Sequence, residues 1–176
     1  KIIFKYIGKL YFNIIFRISI FSLSNRMIYF IDIDNTIADT WHSYLYSGYR
    51  SENKRLISLA VFINMRKLIL RIILHHKSSK LFFISARSYK SYWITYKWLK
   101  SVNIPVNIFS IIIVGSVIEK VDFLSLVTKR KNKIVFIDDL SYNHENGMIK
   151  YYHRTIEKVK NLNVRYIGNE CIKKIN

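Results

Sequence analysis

Nine consecutive residues decide the fold of this chain: Ile28-Tyr29-Phe30-Ile31-Asp32-Ile33-Asp34-Asn35-Thr36. Their β-branched and aromatic side chains predict a fully buried strand, which ends at two aspartates and a threonine. Side chains alternate between the two faces of a strand, so Asp32 and Asp34 share one side while the strand stays extended. At the carboxyl edge of a parallel sheet, such side chains enter the crevice in which ligands bind. The segment therefore predicts a polar site at the end of a buried strand.

A second acidic string, Asp138 and Asp139, follows another predicted buried strand at residues 134–137. The chain has only 11 acidic residues against 29 lysines and arginines, and five of the acidic residues lie in two strings. The first string is completed by Asp39. Carboxylates this scarce would not gather at two strand ends for solubility alone. A pair of polar turns is the plainer alternative and the less favoured one.

Strands and helices alternate along the rest of the chain. Further strands are predicted at residues 81–84, 111–114 and 164–167. Helices are predicted at residues 56–74, 89–99, 119–128 and 151–160, with Ser88 as an N-cap of the second. This alternation predicts an α/β fold, a three-layer Rossmann-like domain with a central parallel sheet and right-handed crossovers. At 176 residues the chain is long enough for one domain with its own core.

The chain is predicted to divide into a basic amphipathic N-terminal segment, residues 1–26, and a domain over residues 27–176. The domain carries a small insert at about residues 38–77, with little or no cap domain. Apolar residues of the N-terminal segment follow helical spacing, and no acidic residue interrupts them: Ile3, Tyr6, Ile7, Leu10 and Ile14. The pattern predicts a helix lying on anionic membrane. Packing on the core or on a partner is the alternative.

The N-terminal segment does not resemble a membrane-spanning helix. Its longest uncharged run covers residues 18–25, whereas a spanning helix needs about 20 largely apolar residues. The single cysteine, Cys171, excludes an internal disulfide and a multi-cysteine zinc site. The predicted location is cytoplasmic, with membrane association through residues 1–26.

The net charge of +18 favours anionic partners, which include nucleic acid, acidic lipid and phosphorylated substrates. Compositional bias of the genome is an alternative, because Lys, Asn and Ile are all abundant. One predicted helix also carries a stripe of large side chains: Tyr89, Tyr92, Trp93, Tyr96 and Leu99. Core packing is the favoured interpretation of this stripe, and an aromatic platform for stacking bases is the alternative.

Four short motifs resemble, in order, those of the haloacid dehalogenase (HAD) superfamily, over about residues 27–170. Residues 32–36, DIDNT, resemble the DxDxT nucleophile motif, and residues 84–87, ISAR, resemble the second motif, a Ser or Thr ending a strand. Lys120 resembles the cationic third motif, and residues 137–139, IDD, resemble the acidic metal motif. The rivals for the third motif are Lys129, Lys131 and Lys133. The chain departs from the pattern at Asn35, where glycine is common.

This resemblance implies a Mg²⁺-dependent phosphatase that hydrolyses a phosphate monoester through an aspartyl-phosphate on Asp32. It assigns catalytic roles to Asp32, Asp34, Ser85 and Lys120. It assigns substrate contacts to Thr36, which also orients the loop, and to Arg87, for which pairing with the acidic site is the alternative. The Mg²⁺ ligands would be Asp32, the backbone carbonyl of Asp34, Asp138 and, directly or through water, Asp139. Asp34 would act as general acid and base.

Two other functions stay open at the level of sequence. One is a non-catalytic HAD-fold protein that tethers a partner to membrane through residues 1–26. The other is a polynucleotide-end phosphatase, because residues 95–99 followed by residues 103–105, NIP, resemble the phosphatase part of polynucleotide kinase-phosphatases. Nucleic acid is the less favoured partner. With little cap over the site, either the substrate is bulky or a partner closes the site over a small phosphorylated one.

Overall fold

A computed structural model of the chain describes residue 10 and residues 27–45, 48–49, 51–76, 79–128, 133–146 and 148–176. The first elements in chain order are β1 Met27–Ile31, β2 Ala38–Asp39, α1 Thr40–Leu45, α2 Glu52–Ile57, β3 Ala60–Val61, α3 Ile63–His75, β4 Lys80–Ser85 and α4 Tyr92–Ser101. The later elements are β5 Ile111–Ile113, α5 Val117–Thr128, β6 Lys133–Ile137, β7 Ser141–Tyr142, β8 Lys150–Tyr151, α6 His153–Lys160, β9 Arg165–Ile167 and α7 Asn169–Ile175.

The central sheet has five parallel strands in the order β5-β4-β1-β6-β9. Strand β1 is the middle strand, and the chain fills the sheet outward first on the β4 side and then on the β6 side. The strand order therefore reverses between β1 and β6, and a crevice opens at such a reversal at the carboxyl ends of the strands. Both acidic strings lie at this position. The predicted α/β fold with a central parallel sheet is confirmed.

Two apolar cores, one on each face of the sheet, follow from the alternation of side chains along β1. Tyr29 and Ile31 belong to the core that also includes buried side chains of α3, α4 and α7. Ile28 and Phe30 belong to the other core, which includes buried side chains of α5 and α6. Because both faces are covered, β1 is apolar throughout rather than alternating, as expected for a central parallel strand.

The insert between β1 and α3 is small. Strands β2 and β3 pair antiparallel, and the two short helices α1 and α2 lie between them in sequence. The buried Arg55 of α2 donates to Ser43 of α1, at 2.7 Å from Nη1 to Oγ, and also pairs with Glu52. A few polar contacts of this kind hold the insert together, and it contains little material that could cover the site.

The prediction of one helix over residues 56–74 is wrong. Helix α2 begins after Ser51, whose hydroxyl accepts from the Lys54 amide, and it ends at Ile57. Strand β3 follows, and the Phe62 amide then donates to the Ile37 carbonyl at 2.8 Å before α3 begins. The continuous apolar run did not indicate this break between the two helices, because the pairing of β3 with β2 depends on residues more than 20 positions away. Helix α7 was not predicted at all.

The prediction that the aromatic stripe packs in the core is correct for Tyr92 and Leu99 and wrong for Trp93, which is 62% exposed. The buried arc of α4 is centred on Thr95, a polar residue, and it includes Trp98 instead. The spacing of the apolar residues alone therefore predicted the wrong buried face for α4. Ser88 caps the 3₁₀ turn Tyr89–Ser91, which leads into α4, rather than α4 itself.

Some predictions lie outside the described residues. The N-terminal segment, residues 1–26, is among them apart from Leu10, and so are Lys129 and Lys131. Among the described helices, none is long and apolar enough to cross a membrane.

Trp98 provides a test of how α4 holds the insert. Its side chain is fully buried, and its indole Nε1 donates to the Leu59 carbonyl at 2.9 Å. Trp98→Phe leaves that carbonyl unsatisfied, so we expect urea denaturation to show a loss of about 1–3 kcal/mol. The matched variant Trp93→Phe changes an exposed side chain on the same helix and should stay within about 0.5 kcal/mol of the parent. Equal losses for both variants would contradict this account of Trp98.

Candidate active site

A buried lysine joins the ends of the two strands that flank the crevice. Nζ of Lys120, in the first turns of α5, lies 2.6 Å from Asp32 Oδ1 and 2.8 Å from Asp138 Oδ2. All three residues are at most 3% exposed. Asp32 follows β1 and Asp138 follows β6, so one ammonium group spans the reversal point of the sheet. Among the four candidates for the third motif, Lys120 is the one with these contacts among the described residues.

The charges of this group are strongly coupled. Burial and the neighbouring Asp138 raise the pKa of Asp32 well above its usual range, although Lys120 opposes the shift. Burial alone would lower the pKa of Lys120, but Asp138 and Asp32 outweigh it and raise that pKa. The ammonium group therefore stays charged because it has two carboxylates around it. An acidic pair at this spacing needs such a cation.

Asp34 belongs to a second ion pair on the β4 side of the crevice. Arg87 holds it with two nitrogens, with Nη2 at 2.7 Å from Oδ1 and Nε at 2.9 Å from Oδ2. The hydroxyls of Thr40 and Ser85 also donate to this carboxylate, at 2.9 and 3.1 Å. Burial works toward a higher pKa, but the charge and hydrogen bonds of Arg87 prevail and lower the pKa of Asp34 to about 2. Asp34 is thus an anion at neutral pH in this arrangement.

Arg87 is positioned from the other side by α4. Its Nη1 donates to the hydroxyl of the buried Thr95 at 3.0 Å, and its backbone amide donates to Ser85 Oγ at 3.3 Å. The guanidinium is 6% exposed at its side chain, against 28% for Asp34. Of the two contacts considered for Arg87 from the sequence, pairing with the acidic site is the one present here. Ser85 lies beside it, at the end of β4.

Asp139 is held by hydroxyl groups. The Thr36 hydroxyl donates to Oδ1 at 3.3 Å and accepts from the Asp139 amide, and the Ser141 hydroxyl donates to Oδ2. Burial, and then the charge of Asp138, raise the pKa of Asp139 to about 7, although the Ser141 hydrogen bond opposes the shift. Thr36 is fully buried. Its hydroxyl thus links the two acidic loops instead of bonding within its own loop.

Two positions near the carboxylates have left-handed backbone. Asn35 has φ 55°, a conformation that asparagine and glycine adopt more readily than other residues. Leu140 has φ 45°, which is unusual for a branched residue, and its amide donates to Asp138 Oδ1 at 2.8 Å. The turn after Asp139 thereby fixes the orientation of the Asp138 carboxylate.

Three carboxylates could hold a metal ion. One oxygen from each of Asp32, Asp138 and Asp139 lies within 4.8 Å of the others. A donor set made only of carboxylate oxygens fits a hard divalent cation such as Mg²⁺. The described residues supply no histidine or cysteine to this group, so the donor set does not favour a softer transition metal.

The structure brings all eight residues predicted for the site to the carboxyl edge of the sheet, in three sets of contacts: Lys120 with Asp32 and Asp138, Asp34 with Arg87 and Ser85, and Thr36 with Asp139. The sequence did not indicate Thr40, Ser141 or His144, which support them. His144 is buried, and its Nε2 lies 2.6 Å from Ser141 Oγ and 3.0 Å from Asn35 Nδ2. Its position soon after Asp139 was the only available signal. The other four histidines are exposed, as predicted.

Two open pockets border the site on the β6–β9 side. The larger, about 400 Å³, is lined by residues that include Asp139, Tyr151, Tyr166 and Asn169. The smaller, about 300 Å³, shares Asp139 and Asn169 and also includes Trp41. Asp139 therefore belongs to the carboxylate group and also lines both surface depressions.

Comparison with known proteins adds one finding. No family model and no curated protein matches the chain. The crystal structure of the Legionella pneumophila effector Ceg4 with an N-terminal yeast Hog1p sequence matches at 12% sequence identity and a TM-score of 0.42, over 84% of this chain and 88% of that chain. A match at this level assigns neither a family nor an activity. The function is therefore argued from the site itself.

Removing the central cation tests the energetics of the site. Lys120→Met leaves two buried carboxylates without their cation, and we expect a loss of about 3–5 kcal/mol in the free energy of unfolding. Lys133→Met is the control, because Lys133 is exposed at the start of β6 and should be nearly silent. Urea denaturation in EDTA measures both. Similar losses for the two variants would show that Lys120 does not stabilise the carboxylates.

The raised pKa of Asp139 predicts a pH dependence of stability in the metal-free protein. Between its usual value near 4 and about 7, the folded state keeps a proton that the unfolded state has lost. The free energy of unfolding should therefore fall as pH rises through this window, by up to about 1.4 kcal/mol per pH unit for one group. Urea denaturation at several pH values in EDTA measures the slope.

Asp139→Asn should make this slope shallower, since an amide does not titrate. Asp122→Asn changes an exposed acid on α5 and should leave the slope as in the parent. A slope unchanged by Asp139→Asn would mean that Asp139 is ionised throughout the window.

Proposed function

We propose that the chain is a HAD-like, Mg²⁺-dependent phosphatase that hydrolyses a phosphate monoester through Asp32. The observation that carries the proposal is the buried contact of Lys120 with Asp32 and Asp138, at 2.6 and 2.8 Å. A chain with so few acidic residues has placed several of them, almost fully buried, around one lysine. Buried charges are costly to keep unless they are used or fully paired.

Asp32 is the proposed nucleophile. Its carboxylate oxygen attacks phosphorus, the bond from phosphorus to the leaving oxygen breaks, and an aspartyl-phosphate forms. Water then attacks this intermediate and releases inorganic phosphate and the free carboxylate. Lys120 offsets the negative charge that gathers on the phosphoryl oxygens in both steps.

Mg²⁺ is the proposed cofactor, held by Asp32, Asp138 and Asp139, whose oxygens suit a hard cation. When bound, it would neutralise phosphoryl charge that the clustered carboxylates otherwise repel. The backbone carbonyl of Asp34 stays a predicted further ligand. Thr36 and Ser141 orient Asp139 toward this group through their hydroxyls.

Asp34 is the proposed general acid and base. Asp34 is an anion in the free protein, so it first takes up a proton from solvent once Arg87 has turned to the substrate, then gives that proton to the leaving oxygen, and finally takes one from the attacking water. Its carboxylate now accepts from Arg87, Ser85 and Thr40. A substrate phosphoryl group gives Arg87 and Ser85 a second anionic partner, and their transfer to it frees Asp34 for proton transfer. This change of partner by Arg87, from Asp34 to the phosphoryl group, is consistent with the predicted contact of Arg87 with the substrate.

A non-catalytic role is less favoured, because a protein without a reaction has no physical need to bury three carboxylates, with a fourth partly buried, beside a lysine and an arginine. Contact of residues 1–26 with anionic membrane and a cytoplasmic location stay predictions. The small insert favours an exposed site, and hence either a bulky substrate or a partner that closes over a small one.

Substitution of the two aspartates of the first loop tests the mechanism. Asp32→Asn should abolish hydrolysis of an aryl phosphate, because an amide is not an anionic nucleophile. Asp34→Asn should retain traces of activity, about 10²–10⁴-fold below the parent, because it removes only proton transfer. Steady-state and burst kinetics with nitrophenyl phosphate measure both, and EDTA should abolish the parent's activity until Mg²⁺ is restored.

Asp122→Asn, at an exposed position of α5, is the control and should match the parent. Thermal melts check that each variant is folded. Parental turnover by Asp32→Asn would reject Asp32 as the nucleophile, and a folded parent without activity toward any phosphate monoester in Mg²⁺ would reject the proposed function.

A further inference from the structure

One face of α4 presents a large aromatic side chain to solvent. Trp93 is 62% exposed, although Tyr92 next to it is buried and bonds to the Ile108 carbonyl. A single exposed apolar side chain is common, but burying an indole is strongly favourable, so the charges around Trp93 decide whether this face suits a partner. The core does not need this side chain, because Trp98 already fills the space under α4.

Lysines surround this tryptophan. We define the α4 surface as Lys90, Trp93, Tyr96, Lys97 and Lys100, whose spacing of three or four residues places them on one face. The three lysines are exposed, and Tyr96 is half-buried. Nζ of Lys100 lies 5.9 Å from the centre of the Tyr96 ring. Lys90 belongs to the 3₁₀ turn that leads into α4.

The charge along the segment that contains the α4 surface has one sign, and Glu52 on the neighbouring helix α2 is paired with Arg55. Residues 80–118 contain five lysines and arginines and no acidic residue. The next acid along the chain is Glu119, which already accepts from the Tyr89 hydroxyl at 3.2 Å and the Gly115 amide at 2.8 Å. The partner is therefore an anion. Charge disfavours a second copy of this chain, at +18, and also the chain's own residues 1–26, which contain no acid.

The aromatic rings of α4 indicate which class of anionic partner fits the α4 surface. The Trp93 ring lies 5.3 Å from that of Tyr92 and 6.1 Å from that of Tyr96, with the planes nearly perpendicular in both pairs. One exposed ring, with the half-buried Tyr96 ring beside it and lysines around it, suits unpaired bases, because bases stack on rings while lysines follow the phosphates. We infer that the α4 surface binds single-stranded nucleic acid.

The position of α4 shows how the α4 surface is oriented relative to the crevice. The helix follows β4, whose carboxyl end carries Ser85, and Arg87 bonds to Thr95 of α4. From Lys90 to Lys100 the surface extends for about 15 Å from the crevice edge toward the opposite edge of the sheet. A strand bound along it has one end near the carboxylates. Binding itself does not depend on the proposed phosphatase activity, and the test below measures binding alone.

Fluorescence anisotropy with a labelled 15-residue oligothymidylate and the full chain tests the inference. Trp93→Ala should weaken binding by about 5- to 150-fold, which is the range measured when one stacking side chain is removed. Trp93→Phe keeps a ring and should recover most of the affinity. Leu74→Ala is the matched control, because Leu74 is 66% exposed on α3, and it should bind like the parent.

The lysines are tested through salt dependence. Each phosphate contact with single strands contributes about 0.7 to the slope of log affinity against log salt concentration, so Lys97→Ala with Lys100→Ala should lower the slope by about 1.4. Lys67→Ala with Arg71→Ala removes the same charge from exposed positions on α3 and should leave the slope unchanged. Heparin, a polyanion without bases, should bind Trp93→Ala and the parent equally.

Three results would overturn the inference. The first is parental oligothymidylate affinity of Trp93→Ala. The second is an equal loss from the α3 double variant, which would mean that only net charge matters. The third concerns vesicles that contain acidic phospholipid. If Trp93→Ala loses binding to these vesicles but keeps the parental affinity for the oligonucleotide, the α4 surface binds lipid instead.

Discussion

The contact of Lys120 with Asp32 and Asp138 is the interaction on which the rest of the structure depends. It joins the first turns of α5 to the ends of β1 and β6, three segments that are far apart in sequence. A lysine and two carboxylates taken out of water are costly one by one, and only close approach makes them tolerable. The contact therefore fixes the position of α5 on the sheet, and with it the charge of the crevice.

A second, independent ion pair divides the crevice into two halves. Arg87 and Asp34 form the β4 half, and the hydroxyls of Thr95 and Thr40 connect that half to α4 and to the insert. The pKa values diverge accordingly, because Asp34 is surrounded by donors while Asp32 and Asp139 are buried among other carboxylates. Neighbouring acids with different environments are what acid–base chemistry and metal binding in one site require.

The site and the α4 surface share a support. Thr95 faces inward to Arg87, and Trp93, two residues earlier, faces solvent. The same helix thus holds the buried Arg87 with one side and presents Trp93 to solvent with the other. Helix α2 of the insert also packs against α4, and the two open pockets lie on the β6–β9 side of the crevice. The phosphatase proposal and the nucleic-acid inference are separate, but they are physically compatible.

Much of the candidate site could be predicted from the sequence, because its residues follow strands whose apolar runs are unmistakable. A parallel sheet brings the carboxyl ends of such strands to one edge, so Asp32, Ser85 and Asp138 had to lie near each other once the strands were identified. The α/β fold followed from the same alternation of strands and helices. The left-handed backbone of Asn35 was not predicted, although asparagine is a residue that adopts it.

Tertiary structure alone decided the partners. The pairing of Arg87 with Asp34, rather than with solvent, depends on the distance between β1 and β4, and the bond from Thr36 to Asp139 spans 103 positions. The exposure of Trp93 could not be predicted from the sequence either. The buried face of α4 is centred on Thr95, and a polar residue does not contribute to the apolar periodicity that predicts such a face. Local patterns report which faces are apolar, but charge partners and buried polar groups are chosen by whatever the fold places opposite them.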